Sequence, residues 1–269
     1  MPTLLERLRE ALRPDYDVEH ELASGGMGVV FLARDVVLDR RVAIKIMRPE
    51  LATARAGAQF LREARLLAKL SHPNVVPIHR AGEADGLLYY VMDYIEGKTL
   101  ADRLDHGPLS AREVVKIGRD VLDALEAIHD LGIVHRDVKP ENVFVLDDRA
   151  LLADLGVAVE AAPAPRTSAQ GRRPAGTPGY IAPEQWTTGA VTPQTDLYAL
   201  GVTLSEAFAG RRWDSLDPSR DTDWVWVPRP YQRILRRAVQ HDPGNRWPDA
   251  VSFRHALGRT RRRAVRALV

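Results

Sequence analysis

The chain changes its hydrophobic period at Gly97. Upstream of it, runs rich in Val, Ile, Phe and Tyr lie at 17–23, 28–35, 41–47, 75–80 and 87–94, and these read as strands. The last two are separated by the turn signal Gly82-Glu83-Ala84-Asp85-Gly86. A first helix carries Leu4, Leu5, Leu8 and Leu12 and stops at Pro14; a second, over 55–70, places Phe60, Leu61, Ala64, Leu67 and Ala68 on one face. Downstream of Gly97 the helical period takes over, at 110–131 (opened by a Ser110-x-x-Glu113 capping box), 194–209, 230–241 and 248–258. Strands first and helices later predict an α+β chain in two lobes joined near 93–97. The expected segments are a helix at 1–14, a strand-rich lobe at 15–94, a helical lobe at 95–258 and a basic end at 259–269. Residues 157–180 hold Pro, Ala, Gly and Arg without periodicity, and a loop of that length inside a compact domain is functional or mobile.

Composition removes several classes of function. With 269 residues and 45% hydrophobic content the chain buries a sizeable core. A net charge of +2 is too small to argue for nucleic acid as a partner. No cysteine is present, which excludes disulfides, thiolate–metal sites and cysteine nucleophiles. No apolar run approaches the roughly 18 residues of a membrane span, and the charged, leucine-bearing start lacks a signal peptide's apolar block. The expected location is therefore cytoplasmic. Only five of the 38 basic residues are Lys: Lys45, Lys69, Lys98, Lys116 and Lys139. A lysine kept in so arginine-rich a chain marks a place that needs a compact point charge.

Lys139 lies in the stretch His135-Arg136-Asp137-Val138-Lys139-Pro140-Glu141-Asn142. Asp137 can accept a proton from a hydroxyl, Lys139 can neutralise a moving phosphate, and Asn142 can hold a metal ion. That pattern resembles the catalytic loop of eukaryotic-type protein kinases, with the lysine of the serine/threonine branch. The other elements of such a kinase follow in the family's order, over residues 17 to about 258. The resemblance is to the bacterial eukaryotic-like (Hanks-type) serine/threonine protein kinases. It implies a bilobal fold, with a five-stranded antiparallel sheet and one main helix in the small lobe and a larger, mostly helical lobe.

The resemblance also implies roles. The Gly-rich segment would cradle ATP through Gly25, Gly26, Gly28 and Val30, with Ala23 standing where the family has its first Gly; read from the residues alone, the same glycines make a tight turn. Lys45, in Val42-Ala43-Ile44-Lys45, would bond ATP phosphates and pair with Glu63; without the resemblance it reads as an edge lysine reaching water and Glu63 as solvated surface. Val30, Ala43 and Met92 would line the adenine pocket, or be ordinary core, and the backbone of Asp93 to Ile95 would bond the base. Asn142 and Asp154 would hold magnesium, with manganese as the substitute ion. Leu155 replaces the family's Phe as an apolar plug beside His135. Thr177 would admit a Ser or Thr acceptor, Glu184 would pair with Arg246, and Asp196 would hold the catalytic-loop backbone. Arg136 would meet a phosphate on Thr167 or Ser168, two residues that otherwise are loop spacers.

The implied reaction moves the γ-phosphoryl of Mg-ATP to protein Ser or Thr hydroxyls, with autophosphorylation in trans bringing two copies together. Two rivals remain. A nucleotide-binding pseudokinase scaffold would have lost Lys45, Asp137 or Asp154, and all are present. A small-molecule kinase would lack the Ala182-Pro183-Glu184 segment and the Asp137-x-Lys139 spacing. Trp213, Trp224 and Trp226, in the charged stretch 211–228, either pack inward or form a docking surface, and packing inward is the expectation.

Overall fold

In a computed structural model of the chain, the residues described are 2–25, 28–49, 52–154, 177, 179–212 and 224–266, without the side chains of 54 and 261–266. Gly26, Leu155, Thr167, Ser168 and Trp213 lie outside them, as does nearly all of the 157–180 loop. The chain forms two compact units. One holds the described residues up to Ser71 and Val76–Glu96; the other holds His72–Val75 and the described residues from Gly97 onward.

The first unit is built on five antiparallel strands, β1 (Tyr16–Ser24), β2 (Gly28–Asp35), β3 (Arg40–Met47), β4 (Ile78–Ala84) and β5 (Leu87–Asp93), in the order β1-β2-β3-β5-β4. Alternation assigns the two faces. Val42, Ile44 and Ile46 join Val29, Phe31, Tyr89 and Val91 in one core, which α1 (Leu4–Leu12) closes with the fully buried Leu8 and with Leu12. The opposite face carries Lys45 beside Tyr90, its partner in the β3–β5 register. α2 (Ala54–Leu67) packs there: the rings of Phe60 and Tyr90 lie 5.5 Å apart. Phe60, Ala64 and Leu67 are buried as the period predicts, Leu61 is half-buried, and Ala68 is exposed because the helix ends at Leu67 and Ala68 serves as its C-cap.

Two details of this unit differ from the sequence reading. β4 begins at Ile78 rather than at 75, because Pro77 has no N–H for a ladder; its carbonyl instead accepts from the Asp93 amide at 3.1 Å. Val75 pairs in parallel with Leu152 of the other unit's small sheet, within the unit to which 72–75 belong. The second detail concerns Gly28. A Cβ there would meet the Ile46 carbonyl oxygen at 2.2 Å, so this glycine is required by the approach of β3, whatever ligand the loop receives.

The second unit is mostly helical. α3 (Leu100–Leu104) and α4 (Ala111–Asp130) are followed by a 3-10 turn at Pro140–Asn142, then α5 (Pro183–Thr187), α6 (Pro193–Ala209), α7 (Arg229–Ala238) and α8 (Ala250–Arg266). A small sheet, β6 (Lys98–Thr99), β7 (Val143–Val145) and β8 (Ala150–Leu152), runs in that order and flanks the 3-10 turn. α4 starts at the expected box: Ser110 Oγ accepts from the Glu113 amide while the Glu113 carboxylate accepts from the Ser110 amide. From Thr195 to Ala209 every residue of α6 is buried, so the helix shows no polar face and no clear period, as befits a central helix. α8 continues past the predicted 258 to Arg266. Of the tryptophans, Trp224 is buried as expected, but Trp226 is 47% exposed, with the Arg211 guanidinium stacked on its ring at 4.6 Å.

Candidate active site

In the first unit, Lys45 is only 6% exposed on the sheet's central strand, so it is not an edge lysine reaching water. A buried ammonium is costly unless an anion or hydrogen-bond acceptors meet it. Glu63 projects from α2, one turn beyond Phe60, and accepts from Gln59 Nε2 at 2.9 Å. Ala43 and Met92 are buried and paired across β3 and β5, while Val30 is half-buried and Ala23 exposed. The Gly25 amide donates to the Gly28 carbonyl at 2.9 Å, and Arg48 Nε donates to the Gly25 carbonyl at 2.8 Å. Asp93 spends its amide on Pro77 and its carboxylate on His79, 2.7 Å away, so the Asp93 N–H is committed within the protein.

In the second unit the loop at 135–142 is held from a distance in sequence. Asp196, fully buried in the first turn of α6, accepts from the His135 amide (2.8 Å), the Arg136 amide (2.7 Å) and His129 Nε2 (2.8 Å). These bonds hold Arg136 at φ 69°, a left-handed conformation that a non-glycine residue keeps only when its surroundings impose it. The carboxylate that would have favoured its own helix N-terminus is thus spent on the loop.

His135 is fully buried, with Nε2 facing the Ala153 carbonyl at 3.1 Å and Nδ1 facing the Asp137 amide at 3.4 Å. A carbonyl only accepts and an amide N–H only donates, so the ring is neutral with its proton on Nε2. Burial pushes its pKa below the usual 6.5, outweighing the carboxylates of Asp196, Asp137 and Asp154 that would raise it. Burial lowers His72 in the same way. The folded chain resists protons that the unfolded chain accepts, so this stabilisation is complete above about pH 6.5 and is lost progressively below it. Thermal melts at about pH 7.5 and about pH 5.5 should show the fall, and His135→Gln, which keeps an N–H donor but does not titrate, should reduce it. An identical pH profile in that variant would contradict the assignment.

Asp137 is 8% exposed, and each of its oxygens has a partner. Lys139 Nζ lies 2.7 Å from Oδ2, and Asn142 Nδ2 donates to Oδ2 at 3.0 Å and to the Asp137 carbonyl at 2.8 Å. Thr177 Oγ1 receives Lys139 Nζ at 2.7 Å and approaches Asp137 Oδ1 at 3.3 Å. One carboxylate oxygen is therefore firmly held, and the other meets only a long contact from a hydroxyl. The arrangement can orient an incoming hydroxyl and take its proton.

Because the Asn142 NH₂ group faces Asp137, the atom it can offer a metal is its carbonyl oxygen. The Asn142 main-chain carbonyl accepts from the Ala153 amide at 2.9 Å, which brings Asp154, at φ 60°, next to it in the chain. An amide oxygen and a carboxylate are hard donors that suit magnesium. Among the described residues no group of three His, Cys, Asp or Glu side chains is placed to hold a metal.

Glu184 and Arg246 form a buried, two-pronged pair, with Nη1 at 2.8 Å from Oε1 and Nη2 at 2.6 Å from Oε2. Arg246 is 1% exposed and also donates to the carbonyls of Gln240, Gln194 and His241. Burial works to raise the Glu184 carboxyl, but the bonds and charge of Arg246, its own backbone amide and the Thr195 hydroxyl prevail and leave it below the usual range.

Sequence reading missed four polar side chains that shape this unit. Tyr180 donates its hydroxyl to the buried Glu206 at 2.6 Å; burial, with Glu206 adding to it, pushes the phenol pKa up. His129 shares the Asp196 carboxylate, and Asn74 Nδ2 donates to the Ala150 carbonyl at 2.9 Å. For Glu206, the one acid of α6 beyond its first turn, set among apolar residues, was an available signal; His129 and Asn74 offered none.

Residues 16–241 match the protein kinase domain family. The chain belongs to that family, among the eukaryotic-like serine/threonine kinases of bacteria. It is 34% identical over 252 residues to the serine/threonine-protein kinase PrkC of Bacillus subtilis, covering 87% of this chain and 39% of that protein. It is 40% identical over 202 residues to the serine/threonine-protein kinase pkn2 of Myxococcus xanthus, covering 73% of this chain and 24% of that one. The chain thus spans less than half the length of these curated relatives. Among solved structures it resembles the PknI kinase domain of Mycobacterium tuberculosis, with a TM-score of 0.74 and 30% identity over 92% of this chain and 96% of that one. The fold is accordingly the α+β protein-kinase fold, and the family implies use of ATP and a divalent metal ion.

Proposed function

We propose that this chain transfers the γ-phosphoryl group of ATP to Ser or Thr hydroxyls of proteins. The observation that carries the reading is the Asp137 carboxylate, with Oδ2 held by Lys139 and Asn142 and Oδ1 approached by Thr177. In the reaction the acceptor oxygen forms a bond to the γ-phosphorus and the bond from that phosphorus to the β–γ bridging oxygen breaks. ADP leaves, and the hydroxyl proton passes to Asp137. The transition state is loose, so positioning and charge supply most of the catalysis. Asp137 orients the acceptor, Lys139 offsets charge on the moving group, and Lys45 offsets charge on the remaining phosphates; Glu63, which here accepts from Gln59 Nε2 and not from Lys45, would have to turn to pair with it.

Asn142 and Asp154 are the residues that would hold magnesium, or manganese in its place, and the ion supplies charge neutralisation when bound. With the Asp93 amide committed to Pro77, hydrogen bonding to the base falls to the Asp93 carbonyl and the backbone onward to Ile95, beside Ala43, Met92 and Val30. Arg136 would receive a phosphate on Thr167 or Ser168, installed in trans by a second copy. The dependence on ATP favours a cytoplasmic setting.

The test is transfer of labelled γ-phosphate from Mg-ATP to a mixed Ser/Thr peptide library, with phosphoamino-acid analysis. Label on Ser or Thr that disappears in Asp137→Asn and in Lys45→Met is the expected result. Nucleotide binding without turnover in the unaltered chain would favour the scaffold reading instead, and label retained in Asp137→Asn would sink the assignment of the base.

A further inference from the structure

α7 presents a face rich in arginine. Its buried side, Tyr231, Ile234, Leu235 and Ala238, seats it on the helical core. The opposite side carries Arg229, Arg233, Arg236 and Arg237 at positions i, i+4, i+7 and i+8, and these arginines, with Gln232 and Gln240, line an open groove of about 570 Å³. Among the described residues no carboxylate lines it. Yet the chain has 36 acidic residues, enough to intersperse charges on most surface helices, as solvated faces usually do.

Four like charges at helical spacing repel one another. The helix dipole accounts for Arg236 and Arg237 in the last turn, but it works against Arg229 in the first. Among the described residues, no hydrogen bond or ion pair engages the side chain of Arg229 or Arg233. The inner pair lies on aromatic rings: the Arg236 guanidinium is 4.9 Å from the Trp224 ring centre, and that of Arg237 is 4.2 Å from the Trp247 ring centre. Arg237 Nε also donates to the Arg246 carbonyl at 3.3 Å. Planar guanidiniums stacked in fixed orientations lose little freedom when they meet carboxylates two-pronged.

We propose that this groove docks an acidic, Asp/Glu-rich segment of a partner protein, apart from the phosphoryl-transfer site. Charge complementarity selects the occupant. Nucleic acid fits less well, because the indole faces that would stack bases are covered by Arg236 and Arg237, and the net charge of +2 gives little long-range attraction.

A fluorescein-labelled peptide of alternating Glu and Ser, titrated with the whole chain by fluorescence anisotropy, reads binding directly and does not depend on turnover. The same peptide with Gln for Glu, single-stranded oligouridine and phosphatidylserine-containing vesicles are the comparison arms. The Glu peptide should bind, weaken with added salt, and lose at least about tenfold in affinity in the Arg229→Glu/Arg233→Glu double variant. Both positions are exposed and leave the buried face of α7 intact, so the circular dichroism spectrum should be unchanged. Equal binding in the double variant, equal binding of the Gln peptide, or tighter capture of oligouridine or vesicles through the same arginines would each overturn the proposal.

Discussion

Replacing Asp137 with Asn is expected to lower phosphoryl transfer by about 10²–10⁴-fold, the usual contribution of a positioned acid–base group. The substitution is nearly isosteric. The side-chain oxygen of Asn can still accept from Lys139 and Asn142, and its NH₂ can turn toward Thr177, so the loop keeps most of its bonds. Lys139 loses a counter-ion but retains Thr177 Oγ1 at 2.7 Å and a share of solvent, at 17% side-chain exposure. What disappears is the carboxylate proposed to take the acceptor's proton. Initial rates at saturating ATP, with circular dichroism as the check on folding, decide the matter. A folded Asp137→Asn protein that turns over at the original rate would show that Asp137 is not the base.

Arg246→Met should produce the largest loss of stability of any single change considered. It strands Glu184 as a buried charge and removes the donor from three backbone carbonyls at once. Breaking a buried pair from one side costs about 3–5 kcal/mol, against a total of roughly 5–15 kcal/mol for a domain. That corresponds to a drop in Tm of roughly 6–20 °C. The double replacement Glu184→Leu/Arg246→Met removes both charges and should recover part of the loss. The pH dependence follows from the depressed Glu184 carboxyl: its contribution is present above the usual 4.5 and vanishes as the pH falls through the lower, folded value. Thermal melts of the single and double variants measure this. An Arg246→Met protein that melts with the original would show that the pair carries little of the stability.

How much was legible depended on how local each signal is. The hairpin of β4 and β5 could be read because Asp85 and Gly86, both at positive φ, form a turn that their residue types announce. The start of α4 could be read from Ser110 and Glu113, three residues apart. β4 was placed three residues early because Val75 and Val76 have strand character, while the deciding fact, the missing N–H of Pro77, acts through its partner across the sheet. Gly28 shows the same limit. Its type suggested a ligand, but the steric demand comes from Ile46 on the neighbouring strand. Trp224 and Trp226 lie two residues apart with equal hydropathy, and only packing separates the buried one from the exposed one.

From residue order alone came the family, the α+β division near Gly97 and the candidate groups for the chemistry at 135–142. Reactive side chains and turn residues act within a few positions of one another, and a linear reading captures that. The tertiary structure decided which distant group completes each of them. Asp196 grips the backbone of His135 and Arg136 from about sixty positions away, and Arg246 meets Glu184 across a similar span. Burial sets the neutral state of His135, and the fold of α7 gathers its arginines into one groove. Such pairings arise when burial of apolar helices and strands brings remote segments together, and the energy that selects them is spread over the whole core and marked at no single residue.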